Sequence, residues 1–192
     1  MFSMHRLILA SASPRRKELL QVLQIPFQSV DANVDESIEP NTEPSVAVKE
    51  LAHRKAKAVA VKYPESCVIG SDTVVAFDGK ILGKPVDRTD AKKMLQLLAG
   101  NTHFVYTGVA LVKGEKSRVF YEETEVTFWD LSDAEIERYL DSGEPFDKAG
   151  SYGIQGYGSL FVKKIHGDYF SVVGLPVSRL SRELLAFQEE NE

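Results

Sequence analysis

With one cysteine in 192 residues, Cys67, no intrachain disulfide can form, and a reducing compartment suits the chain. Cys67 opens the apolar run Cys67-Val68-Ile69, where a thiol serves as a small buried hydrophobe. Long apolar runs are also missing. Leu7 to Ala10, the continuous apolar stretch near the N-terminus, is too short for a signal-peptide core or a membrane span, and Pro14-Arg15-Arg16-Lys17 follows closely. The expectation is a cytoplasmic protein with no membrane partner. Nor is there an excess of positive charge. The formal net charge of -5 argues against a broad polyanion-binding surface, and so against nucleic acid as a partner, but leaves room for a small basic pocket. His5, His53, His103 and His166 lack metal-ligand spacing, which with a lone cysteine argues against zinc. Internal repeats and low-complexity linkers are absent. So is a glycine-rich loop ending in Lys-Ser/Thr, which removes the P-loop kinase reading.

What is present reads as one compact α/β unit. The chain is 43% hydrophobic and long enough to bury a core. Leu7-Ile8-Leu9 predicts a buried strand, after which Ser13 offers an N-cap hydroxyl and Pro14 suits the first position of a helix running to about Leu23. Phe27 to Val34 predicts a strand, and a polar loop separates it from a helix of about 17 residues beginning near Ser45. Val68 to Phe77 is strand-like, with Asp78-Gly79 turning the chain into Lys80-Ile81-Leu82. A helix over Thr89–Ala99, strands over Val105–Val112 and Val119–Trp129, and a capping box at Ser132–Glu135 follow. Ser142 to Gly158 reads as a glycine-rich loop. Strands at Leu160–Lys164 and Tyr169–Val173 then precede a terminal helix from about Pro176 to Phe187. This alternation predicts a mixed sheet of parallel and antiparallel strands with flanking helices.

Several residues sit where structure alone would not put them. Arg15, Arg16 and Lys17 crowd the first turn of a helix, where the macrodipole already presents positive charge. They make either a solvated basic turn or an anion site in which amides, dipole and guanidinium forks converge. Asp72 lies within the apolar strand Val68-Ile69-Gly70-Ser71-Asp72-Thr73-Val74-Val75, so its carboxylate needs a partner there. A metal ion, a lysine or an activated water would each serve, as would backbone amides with Ser71 or Thr73. Lys55 shares the apolar stripe of its helix with Leu51 and Val59, so it either meets an anion inside or snorkels to the surface. Lys84, between Gly83 and Pro85, could return to the same end of the sheet or stay an exposed loop lysine. Glu36 is, by composition, simply an acidic loop residue. In Asp147–Gly156, glycines permit close backbone approach and Gln155 offers a donor and an acceptor, as a base edge or a purely conformational turn would use.

Taken in order, Leu9-Ala10-Ser11-Ala12-Ser13-Pro14-Arg15-Arg16-Lys17-Glu18-Leu19-Leu20, Val34-Asp35-Glu36, Gly70-Ser71-Asp72-Thr73-Val74-Val75, Gly83-Lys84-Pro85, Asp147-Lys148-Ala149-Gly150, Gly153-Ile154-Gln155-Gly156 and Val173-Gly174-Leu175-Pro176 closely resemble the Maf family. The resemblance covers nearly the whole chain. It implies an α/β fold like that of the inosine triphosphate pyrophosphatases, with two lobes around a cleft, and a pyrophosphatase that cuts dTTP or UTP into the monophosphate and pyrophosphate with a divalent cation, Mg²⁺ or Mn²⁺. It also implies roles. Asp72 matches the proton acceptor, and Arg15, Thr73 and Gln155 match positions tied to substrate choice. Ser11, Arg16, Glu36, Lys55 and Lys84 match other positions of the cleft, with Glu36 and Asp72 expected to help bind the metal. The family's link to septum formation supplies a different reading, a nucleotide-binding regulator without turnover. Oligomeric state is left open, a homodimer included.

Overall fold

The structure, a computed structural model, describes residues 7–190, so His5 lies outside the described residues. The elements are β1 (Leu7–Leu9), α1 (Pro14–Gln21), β2 (Phe27–Ser29), α2 (Pro44–Ala60), β3 (Cys67–Phe77), β4 (Lys80–Leu82), α3 (Arg88–Leu98), β5 (Thr102–Lys113), β6 (Lys116–Phe128), α4 (Asp133–Asp141), β7 (Val162–His166), α5 (Tyr169–Val173) and α6 (Val177–Glu189). One mixed sheet runs in the order β2-β1-β3-β5-β6-β7, and β4 pairs with β3 beside this path. β1 lies parallel to β2 and β3, whereas β3, β5, β6 and β7 pair antiparallel. The expected mixed α/β sheet with flanking helices is what forms.

Strand alternation splits the core into two layers. Leu7, Leu9, Ile69, Val109, Leu111 and Phe120 face α1 and α6, where Leu20, Leu180, Leu184 and Phe187 cover them. Ile8, Val68, Ala110 and Val112 point the other way, onto the alanine-rich face of α2 at Ala52, Ala56 and Ala60. A third cluster packs α3 and α4 against Val75, Val105, Val126 and Phe128. Each fully buried large aliphatic contributes about 1.5–3 kcal/mol, so the three clusters together supply the main driving force.

Small residues on α2 match a close approach to the sheet. A Cβ built on Gly70 would meet the Ala52 carbonyl oxygen at 2.1 Å, and one on Gly108 would meet the Val48 carbonyl oxygen at 2.2 Å. The helix therefore rests directly on the backbone of β3 and β5. Any side chain at either glycine would lift it.

Two expectations are corrected. Tyr169–Val173 is not a strand but the short helix α5, because the Asp168 carboxylate accepts from the amides of Phe170 and Ser171 and caps it. The aromatic and β-branched residues of this stretch favour a strand, and the cap overrides that preference. The strand expected over Phe27–Val34 stops at Ser29, since its sheet neighbour β1 is only three residues long. Cys67 is buried, and desolvation pushes its thiol up to about 12. A thiol reagent should accordingly titrate no cysteine in the native protein and one after denaturation; rapid native labelling would show that β3 opens readily.

Candidate active site

β3 carries Asp72 to the floor of a cleft of about 1070 Å³, beside the loop after β1 and the first turn of α1. Asp72 is 8% exposed, and its Oδ1 accepts from Lys55 Nζ at 2.6 Å. The low ride of α2 over Gly70 makes this contact possible. Lys55 also lies 2.7 Å from Glu36 Oε1, so one buried ammonium joins two carboxylates. The partner that Asp72 needed is thus a lysine, and the anions that Lys55 meets are Asp72 and Glu36. Asp72 Oδ2 accepts from no protein group among the described residues.

Glu36 stands on a loop that α2 also fastens. Arg54, one residue before Lys55, donates from Nη1 to the carbonyls of Asp35 at 2.6 Å and Ser37 at 3.0 Å. The hydrogen bond from Lys55 holds the Glu36 carboxyl below its ordinary value against the opposing effect of burial, with the charges of Lys55, Lys84 and Arg16 helping. Among the described residues no three His, Cys, Asp or Glu side chains converge as a metal cage. Two carboxylates suit a hard cation that completes its shell with water and phosphate oxygens.

Arg16 enters from α1. Its Nε donates to the Gly174 carbonyl at 2.8 Å and its Nη2 to Thr73 Oγ1 at 3.1 Å, which leaves N–H donors for a ligand. Burial lowers the guanidinium from its ordinary range, and the charge of Asp72 opposes that loss. The free amides expected after Ser13 are fewer than predicted. Ser13 Oγ accepts from the Arg16 amide, and Ser11 Oγ from the Ser13 amide. Ser11 is buried, and both it and the exposed Lys84 line the cleft.

The neighbouring Arg15 links α1 to the segment after α4, its Nη1 lying 3.9 Å from Asp147 Oδ2 in a half-exposed pair of modest worth. Asp147 precedes the segment that presents Gln155, which is exposed and lines the cleft. Glu144 fastens this segment. Its carboxylate accepts from the Tyr139 hydroxyl at 3.0 Å and from the amides of Tyr157 at 2.9 Å and Gly158 at 3.2 Å. The Tyr139 hydroxyl in turn accepts from the Gly153 amide, and the Gly150 amide reaches the Gly83 carbonyl beside Lys84. Sequence reading missed Arg54 and Glu144. Arg54 lies off the apolar stripe that Lys55 shares with Leu51 and Val59, and the amides that Glu144 binds are 13 and 14 residues away.

All nine expected residues, Ser11, Arg15, Arg16, Glu36, Lys55, Asp72, Thr73, Lys84 and Gln155, line this one cleft. His103, by contrast, is buried between Phe128 and Tyr152, bonds the Tyr152 hydroxyl at 2.7 Å and is lowered to about 4 by desolvation, so it packs as a neutral core ring.

Comparison with known proteins places the cleft among relatives. The family described as Maf-like protein matches residues 6–187. A protein of Bacillus cytotoxicus named dTTP/UTP pyrophosphatase is 57% identical over 184 residues, covering 96% of each chain. Proteins of the same name from Bacillus cereus and Bacillus mycoides are 56% and 55% identical, the first covering 96% of each chain and the second 97% of this chain and 98% of its own. Among solved structures, the Ham1 protein of Staphylococcus aureus superposes with a TM-score of 0.50 at 15% identity, over 80% of this chain and 77% of that one, a likeness of fold alone. With the family match spanning nearly every described residue, and relatives this similar along their full length, the chain belongs to the Maf family.

Proposed function

We propose that the chain is a nucleoside triphosphate pyrophosphatase that hydrolyses dTTP and UTP to the monophosphate and pyrophosphate. The observation that carries this reading is the buried Lys55 joined to Asp72 and Glu36 beside the Arg16 guanidinium, within a cleft large enough for a nucleotide. The names of the Bacillus relatives agree with it. No helix among the described residues is long and apolar enough to cross a membrane, in keeping with a dissolved small-molecule substrate.

In this reading Ser11, Arg16, Lys55 and Lys84 hold the triphosphate, and Arg matches phosphate oxygens with its planar fork. Asp72, with Oδ1 taken by Lys55, uses Oδ2 to orient water and accept its proton during attack that cleaves the α–β anhydride. Cationic groups lining the cleft stabilise the charge growing on the departing pyrophosphate. Glu36 and Asp72 fit Mg²⁺ or Mn²⁺ as oxygen donors, and a bound cation would supply further neutralisation of the phosphate charge.

Base choice falls to Arg15, Thr73 and Gln155. The Gln155 amide offers one donor and one acceptor, which suits the O4 acceptor and N3–H donor of uracil and thymine. Once a bound base covers Gln155, leaving one such group unpaired costs roughly 1–3 kcal/mol, or about one to two orders of magnitude in preference. Incubation with a nucleotide panel and Mg²⁺, with products separated, should therefore show dTTP and UTP giving monophosphate and pyrophosphate. dATP, GTP and 7-methyl-GTP should react weakly, and Gln155→Glu should erode the pyrimidine preference. Nucleotide binding without pyrophosphate release would instead favour a regulator, and a preference for 7-methyl-GTP would overturn the base assignment alone.

A further inference from the structure

We infer that Thr107, a fully buried threonine of β5, is a positioning residue that fixes the phosphate-holding guanidinium of Arg16 by dictating which way the Thr73 hydroxyl points. This rests on the triphosphate reading of the cleft. Thr107 pairs with Thr73 across the β3–β5 ladder, and the two hydroxyl oxygens are 2.8 Å apart. Either could donate in that contact taken alone. Their other partners remove the ambiguity.

Thr107 Oγ1 is 2.6 Å from the Ser171 carbonyl oxygen, which can only accept, so the one hydroxyl hydrogen of Thr107 is spent there. Thr107 must then accept from Thr73, and the Thr73 hydrogen is spent in turn. The lone pairs of Thr73 are left for Arg16 Nη2, which can only donate. Hydrogens therefore run in one direction, from guanidinium to Thr73 to Thr107 to the carbonyl of α5. Each bond polarises the next, and a chain of this kind is stiffer than its separate links.

The same short helix holds the other side of Arg16. Its C-terminal Gly174 carbonyl accepts from Arg16 Nε and from Ser71 Oγ, so the guanidinium is pinned at two nitrogens by groups set by α5. With its hydrogen committed to Thr107, Thr73 is an acceptor toward Arg16 and not a donor toward a base. Its part in substrate choice is accordingly exerted through the guanidinium. Thr107 touches no cleft space and acts only through Thr73.

The test measures kcat and KM for dTTP and UTP, together with melting temperature, in wild type, Thr107→Val, Thr107→Ser, Thr73→Val and Thr124→Val. Thr124 is an equally buried threonine bonded to Ser171 Oγ and to Asp168, the residue that caps α5, so its variant shows what loosening α5 does without touching the Thr73–Thr107 contact. Thr107→Val should raise KM roughly fivefold, the net worth of one hydrogen bond, with kcat little changed. Thr107→Ser should keep the wild-type KM. Thr73→Val should show a similar rise, and it leaves the Thr107–Ser171 bond intact should the valine at 107 fail to fold. In an Arg16→Ala background Thr107→Val should add nothing to KM. A wild-type KM in Thr107→Val or Thr73→Val, an equal rise in Thr124→Val, or full additivity with Arg16→Ala would overturn the inference. Absence of dTTP and UTP hydrolysis in the wild type would overturn the functional reading beneath it.

Discussion

Asp72→Asn should fold normally and turn over dTTP and UTP on the order of 10²- to 10⁴-fold more slowly. Asn preserves the shape of the side chain and can keep its carbonyl oxygen on Lys55 Nζ, where Oδ1 now sits at 2.6 Å. The atom that changes is the second oxygen, which becomes an NH₂ group able only to donate. It could no longer take a proton from water, and a cation held as proposed by Glu36 and Asp72 would lose one of its two carboxylate donors. Lys55 retains Glu36 at 2.7 Å, so the ammonium is not left bare and the fold is spared the cost of an unpaired buried charge. Pyrophosphate release measured with saturating Mg²⁺, beside a thermal melt, separates the two effects. Near-normal kcat in the variant would remove Asp72 from the chemistry.

A large loss of stability is expected from Gly108→Ala. The added Cβ would stand 2.2 Å from the Val48 carbonyl oxygen and 2.4 Å from its carbon, atoms of a helical backbone that cannot rotate aside. Relief requires α2 to lift away from β3 and β5 and surrender the packing of Ala52, Ala56 and Val59 on the sheet. A cost of about 3 kcal/mol or more follows from overpacking at so rigid a contact. Gly108 pairs with Asp72 across the ladder, and Lys55 rides on the helix that would move. Activity should therefore fall further than the folded fraction does. Urea melts and kcat per folded molecule test both parts, and a wild-type midpoint would mean that α2 does not lie on the strand.

The clash at Gly108 was not legible in the sequence, because its cause is a helix sixty residues earlier in the chain. Asp72 and Lys55 were legible, each for a local reason: a carboxylate in an apolar strand and a lysine in an apolar stripe. That they meet each other was not, since the pairing depends on how closely α2 approaches the sheet. Glu36 shows the converse. Nothing in its neighbourhood distinguished it, and only the resemblance brought it into the cleft, where Arg54 and Lys55 fix it. The main elements were readable from periodicity and caps, including the capping box at Ser132. Helix α5 opens on Asp168, an N-cap residue and thus a local helix signal that outweighs the aromatic and β-branched composition of Tyr169–Val173.

The Glu144 carboxylate fastens the Gln155 segment to its own neighbours, Tyr139, Tyr157 and Gly158, and not to β3 or α2. The Gln155 share of the proposed base choice is thereby anchored apart from Asp72 and Lys55, whereas Thr73 and Arg15 adjoin Asp72 and Arg16 in β3 and α1. Changes that reshape the segment around Gln155 can accumulate while Glu144 keeps its ends together, with no compensating change required at Asp72 or Lys55. With this arrangement the contribution of Gln155 to the proposed substrate choice could drift while the Asp72–Lys55 pair stays fixed.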